Sequence, residues 1–71
     1  MRKSLPLRNL RRSRTINQED FSRLVGISQQ SLSKIERGVF IPSTDIQALI
    51  ATILGVSRAE CGFPVDERLA S

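Results

Sequence analysis

Apolar residues recur along the chain at helical spacing, in short bursts separated by strong stop signals. Leu7, Leu10 and Arg11 stand at i, i+3 and i+4 behind Pro6, which suits the first turn of a helix because its missing N–H is no loss there. A first short helix is expected from 6 to about 14, with Arg8 and Arg12 turned outward. Asn17 is a good N-cap for a second helix, followed by Glu19 and Asp20 where the positive end of the helix dipole favours acids. Phe21, Leu24 and Val25 would form its buried face, and Gly26 stops it. Ser28 can cap a third helix, from Gln29 to about Arg37, that buries Leu32 and Ile35 and ends at Gly38. After an apolar loop, Val39 to Ile41, Pro42 and Ser43 open a fourth helix that runs to Leu54 and stops at Gly55; Ser57 can cap a last short turn to about Cys61. Nothing alternates like a strand over a useful length, and no internal repeat or low-complexity run interrupts the pattern.

The fold class read from this pattern is all-α, in one domain. A chain of 71 residues buries one modest core, since small domains hide only about 60% of the surface their unfolded chains expose. Residues 1–5 read as a basic N-terminal arm carrying Arg2 and Lys3, 6–63 as the folded domain, and 64–71 as a C-terminal tail. The pattern holds no apolar run of membrane-spanning length and no signal-peptide layout, so a cytoplasmic protein is the default expectation.

Charge changes the picture more by its distribution than by its sum of +4. Residues 1–37 hold nine Lys/Arg and three Asp/Glu, whereas 38–71 hold two and four. A basic half that also contains a polar helix face is the footprint expected for a nucleic-acid partner, because Lys and Arg release counterions condensed on phosphates. The third helix supplies that face. At 100° per residue, Gln29, Ser33 and Arg37 form a stripe flanked by Gln30 and Lys34, and the stripe carries no acid. Glutamine can pair bidentately with adenine N6 and N7 in the major groove.

Two helices joined by a tight glycine-containing turn form the arrangement that lays its second helix in the major groove. Over 18–37, Phe21, Val25, Ile27, Leu32 and Ile35 stand where the two helices must pack, Ser22 is small enough for close crossing, and Gly26 takes the corner. The run from Ile16 to Gly38 resembles the Cro/CI-type (XRE, lambda repressor-like) helix-turn-helix family, and its Gln29-Gln30-Ser31 resembles certain lambdoid phage repressors. The similarity extends from about Leu7 through Val56. It implies a five-helix domain. It also implies base contacts from Gln29, Gln30, Ser33 and Lys34, phosphate contacts from Gln18, Arg23, Ser28 and Arg37, and a structural ion pair between Arg11 and Glu36 that docks the first helix on the third.

The sequence departs from the family pattern in two places. Thr15 stands where the family usually has Gly, which puts strain in the turn after the first helix. In the fourth helix Gln47 replaces a usual Leu, while Ile46, Leu49 and Ile53 make an additional apolar row. This row either shifts the core or, with Phe63, offers a partner surface.

The leading functional reading is a regulator that represses by binding a palindromic operator in duplex DNA as a homodimer, through its C-terminal half, without cofactor or metal. The alternative is an antitoxin or adaptor that binds a protein partner through helix four and the tail, with DNA binding secondary. RNA recognition is disfavoured because Phe21, Phe40 and Phe63 are the only aromatics available for stacking. An enzyme is disfavoured because the chain has no His, no phosphate loop and no base beside Cys61. The absence of His and the lone Cys also deprive it of structural zinc ligands.

Overall fold

The computed structural model describes residues 4–64. Arg2 and Lys3 of the expected arm, and 65–71 of the expected tail, lie outside the described residues. Four helices follow in chain order: α1 (Pro6–Ser13), α2 (Gln18–Val25), α3 (Gln29–Glu36) and α4 (Thr44–Leu54), with no strand among the described residues.

Three of the four helix starts are capped by the side chain immediately before them. Asn17 Oδ1 accepts from the Asp20 N–H at 2.7 Å, Ser28 Oγ from that of Ser31 at 3.0 Å, and Ser43 Oγ from that of Ile46 at 3.4 Å. Each bond satisfies a first-turn donor that the helix itself cannot. The start of α1 has no side-chain cap and is closed differently. Pro6 has no N–H to satisfy, Leu7 donates its N–H to the Cys61 carbonyl at 3.2 Å, and Leu5, just outside the helix, donates to the Glu36 carbonyl at 2.7 Å. The first helix is therefore pinned at its entry to the end of α3 and to the last turn of the fold. This corrects the expected arm at its inner end: Leu5 is packed against the core, and its backbone is bonded to α3.

Gly26 and Gly55 end α2 and α4 in the left-handed conformation, at φ +85° and +72°. Behind Gly26, the N–H groups of Gly26 and Ile27 both return to the Ser22 carbonyl, at 2.8 and 3.0 Å, which closes the corner before Ser28 starts α3. The turn after α1 reaches the left-handed region without glycine: Thr15 has φ +59° and is the only non-glycine residue with positive φ among those described. At the other end of the chain, Gly62 is required for space as well as for its φ of +95°. A Cβ there would stand 2.6 Å from Pro6 Cδ, part of a ring that cannot swing away.

The core joins Leu7 of α1, Phe21 and Val25 of α2, Leu32 and Ile35 of α3, and Ile50, Ala51 and Leu54 of α4 to Cys61 and Phe63. Leu24, expected inside, is 57% exposed. The buried stripe of α2 runs through Phe21, Val25 and Ser22, and Leu24 lies about a hundred degrees from its middle. Small Ser22 occupies that inner position, its hydroxyl bonded to the Glu19 carbonyl at 2.7 Å.

The fourth helix carries a shifted core. Gln47 is buried, its Nε2 donating to the Pro42 carbonyl at 2.9 Å, and Ile46 and Ile53 are half-buried against the core. Of the residues proposed as a partner surface, Leu49 is exposed and Phe63 is not: the ring is 4% exposed and fills the core, a correction to its expected place outside. The backbone turns back after Gly62 and carries Phe63 inward, with its N–H on the Arg58 carbonyl at 3.2 Å.

The segment 57–62 forms one capped turn, not a fifth helix. Ser57 and Glu60 cap it reciprocally: the Ser57 N–H donates to Glu60 Oε2 at 2.7 Å and the Glu60 N–H to Ser57 Oγ at 3.1 Å. Gly62 ends it within one turn of its start. The short turn read from the residues is what forms, and the additional helix implied by resemblance does not.

Candidate nucleic-acid interface

The packing of α2 against α3 around the Gly26 corner buries Leu32, Ile35 and Glu36 and leaves the opposite face of α3 in solvent. Gln29, Gln30, Lys34 and Arg37 are exposed on that face, with Ser33 half-buried among them. The only acid of α3, Glu36, is 1% exposed and lies buried at the edge of that face. The outward face is therefore polar, free of carboxylates and positive toward its C-terminal end.

Beneath this face lies a continuous chain of side-chain hydrogen bonds. Arg11 of α1 grips Glu36 with two nitrogens, Nε to Oε2 at 2.6 Å and Nη2 to Oε1 at 3.1 Å, and donates its remaining Nη1 to the Ile16 carbonyl at 2.7 Å. The paired fork geometry gives such an ion pair direction as well as strength. Glu36 Oε1 also accepts from Gln18 Nε2 at 3.1 Å, and Gln18 Oε1 accepts from Gln29 Nε2 at 3.3 Å. A buried ion pair between α1 and α3 thus reaches the exposed tip of α3 through one glutamine on α2.

The remaining site residues fall into different surroundings. The Ser28 hydroxyl is engaged in capping, accepting from the Ser31 N–H and donating to Ser31 Oγ at 2.9 Å. Arg23 is held on α2 by Glu19 at 2.7 Å and Asp20 at 3.6 Å. These ion pairs are well exposed, and pairs of that kind are worth only about 0.2–1 kcal/mol, so the guanidinium can exchange partners at small cost. Arg37 bends back with Nε on the Ser33 carbonyl at 3.3 Å. The structure also brings forward Ser4 and Arg8, which line a polar groove with Gln18, Ser33, Glu36 and Arg37. Nothing in the spacing of the arginines on α1 singles out Arg8, because its place depends on how α1 lies across α3.

Cys61 is fully buried, and burial, reinforced by Glu60 and opposed by Arg14, raises its thiol pKa above the ordinary value of 9.0. It is a protonated packing group at neutral pH. No cluster of three metal-ligating side chains occurs among the described residues, and no helix there is long and apolar enough to cross a membrane.

A glycine corner, a capped second helix with an acid-free outer face and a basic flank together define a DNA-binding helix-turn-helix domain of the kind found in transcriptional regulators. A helix-turn-helix family model matches residues 7–61, and the chain belongs to that family, HTH_3, of the XRE type. It is 41% identical over 58 residues to the uncharacterized HTH-type transcriptional regulator y4dJ of Sinorhizobium fredii, which covers 82% of this chain and 75% of that protein. Among solved structures, it is similar to the restriction-modification controller protein C.AhdI of Aeromonas hydrophila, with TM-score 0.71 and 28% identity over 79% of this chain and 85% of that one. It is also similar to the clp gene regulator ClgR of Corynebacterium glutamicum, with TM-score 0.72 and 27% identity over 79% of this chain. The chain spans 60% of the ClgR chain.

Proposed function

We propose that this protein represses transcription by binding an inverted-repeat operator as a homodimer, with α3 of each copy in a major groove. The observation that carries this reading is the outer face of α3, where Gln29 is exposed yet held at its amide by Gln18. A side chain oriented before binding loses less freedom when it meets a base edge. Gln29, Gln30, Ser33 and Lys34 read bases in this arrangement. Gln18, Arg23, Arg37 and the helix start at Ser28 hold phosphates, which set register without carrying sequence information. Two copies related by a dyad would place their α3 helices about 34 Å apart.

Exposed apolar residues after α3 support a second copy as the partner: Val39, Phe40, Ile41 and Leu49 are 39–60% exposed. The competing reading, an adaptor or antitoxin using Ile46, Leu49, Ile53 and Phe63 to bind another protein, is weakened by the burial of Phe63 and the half-burial of both isoleucines.

The test is selection of bound sequences from a random duplex library at about 0.15 M salt, the physiological range, with the stoichiometry of the winning complex measured by sedimentation. An inverted repeat bound by two chains supports the proposal. Recovery of no preferred sequence overturns it. On the selected site, Gln29→Ala is expected to cost about 1–3 kcal/mol and to relax preference at one base pair per half-site.

A further inference from the structure

We propose that Arg8, which lines with Arg37 the groove between α1 and α3, forms a seat for one backbone phosphate of duplex DNA. The inference rests on the reading of α3 as a DNA-binding helix and adds to it a contact from a helix outside the helix-turn-helix. The groove has a volume of about 310 Å³ and is lined by Ser4, Arg8, Gln18, Ser33, Glu36 and Arg37.

Its electrostatics follow from the ion pair below it. Glu36 supplies the groove's only carboxylate, and both of its oxygens already accept hydrogen bonds, Oε2 from Arg11 and Oε1 from Arg11 and Gln18. Arg11 compensates that charge from beneath. Neither Arg8 nor Arg37 has a carboxylate within 4.0 Å among the described residues, so the walls are left positive.

The other arginines of the domain are placed differently. Arg11 is buried, Arg23 is paired with Glu19 and Asp20, and neither Arg12 nor Arg58 lines the groove. Arg14 donates to the Leu10 carbonyl at 3.1 Å and stands close enough to Cys61 to act on its thiol.

The chemistry of the lining suits a phosphodiester. A guanidinium matches two phosphate oxygens with paired N–H donors. The Ser4 hydroxyl and the second N–H of the Gln18 amide are neutral donors beside it. Duplex DNA is the source of that phosphate because the groove shares Ser33 and Arg37 with the outer face of α3 read as meeting the DNA. A backbone laid along α3 passes its mouth.

The test is the salt dependence of duplex binding, measured on both the selected operator and a random-sequence duplex. Wild type is compared with Arg8→Gln, Arg8→Lys and Arg14→Gln. Each phosphate neutralised contributes about 0.9 to the slope of log K against log salt. Arg8→Gln is expected to make the slope shallower by about that amount, so that its deficit in affinity is about threefold larger at ~0.05 M than at ~0.2 M salt. Arg8→Lys keeps the charge and the slope; Arg14→Gln leaves the slope at the wild-type value. Base preference on the operator is unchanged in all three.

An unchanged slope for Arg8→Gln on both duplexes overturns the seat, as does an equal change for Arg14→Gln, which would mean a diffuse charge effect. Failure of the sequence-specific reading is distinguishable, because it appears as the absence of a preferred operator while the slope on random duplex still reports on Arg8.

Discussion

Gln18 Nε2 donates to Glu36 Oε1 at 3.1 Å, and that bond decides which end of the Gln18 amide faces outward. A carboxylate offers only acceptors, so the amide nitrogen must face it and the amide oxygen must face Gln29. Gln29 then turns its own nitrogen toward Gln18 at 3.3 Å, which leaves its Oε1 and one N–H open to a partner. That pattern suits adenine, which presents a donor at N6 and an acceptor at N7, and does not suit guanine, which presents two acceptors.

Gln18→Met is therefore expected to narrow the preference for adenine over guanine at the base Gln29 meets, by up to the roughly 1–3 kcal/mol that a bidentate pair is worth. Competition binding with duplexes that differ at that base measures it. Discrimination equal to wild type would show that Gln29 orients itself without Gln18.

Glu36→Ala leaves the Arg11 guanidinium buried without its counter-ion, and breaking a buried pair from one side costs about 3–5 kcal/mol. A 71-residue chain, at ~0.05–0.15 kcal/mol per residue, has a total stability of about 4–11 kcal/mol, so the single substitution should bring it to the edge of unfolding. Arg11→Met combined with Glu36→Leu removes both charges together and is expected to be much milder. Urea unfolding of the two variants distinguishes the cases; equal losses would mean that packing, not charge, dominates at this contact.

Thr15 is β-branched and sits at φ +59°. A left-handed backbone costs a non-glycine residue about 1–2 kcal/mol, and glycine gives back part of the gain through the freedom of its unfolded chain, about 0.4–1 kcal/mol. Thr15→Gly should stabilise the domain by up to about 1.6 kcal/mol, a rise in melting temperature of up to ~13 °C for a chain of this size. Thr15→Ala keeps the strain and should show no such gain, which calorimetry on the pair would reveal.

The Cys61 thiol has its pKa raised in the fold by burial, by Glu60 second, with Arg14 opposing. The folded state holds the proton more tightly than the unfolded one. Its contribution to stability is complete below the ordinary value of 9.0 and is lost as pH rises through the higher folded value. Cys61→Ala removes this dependence. Unfolding free energies measured from pH 7 to about 10, on either side of the thiol range, should show the gap between wild type and variant closing at the alkaline end; a constant gap would rule the thiol out as its source.

The helices were legible because their signals are local. Asn17, Ser28 and Ser43 cap the helices that follow them, and Gly26 and Gly55 end α2 and α4. Pro6 marked a helix start but not its closure, because the partners of Leu5 and Leu7 are the carbonyls of Glu36 and Cys61, far along the chain. Apolar spacing expects both Leu24 and Ser22 on the inner side of α2, and the helix crossing buries only Ser22, leaving Leu24 exposed.

The candidate site divides along the same line. The sequence by itself determined four helices, the glycine corner, and an acid-free stripe of Gln29, Ser33 and Arg37 flanked by Gln30 and Lys34, since each follows from spacings of three or four residues and from what a side chain can do to its own backbone. Tertiary structure alone decided that Phe63 turns into the core, that 57–62 closes as one turn over Pro6, and that Arg8 and Arg37 line one groove. It also decided the hydrogen-bond chain from Arg11 through Glu36 and Gln18 to Gln29. These arrangements join residues many turns apart on different helices, and their geometry comes into being only when burial of the shared apolar core fixes how α1 lies across α3.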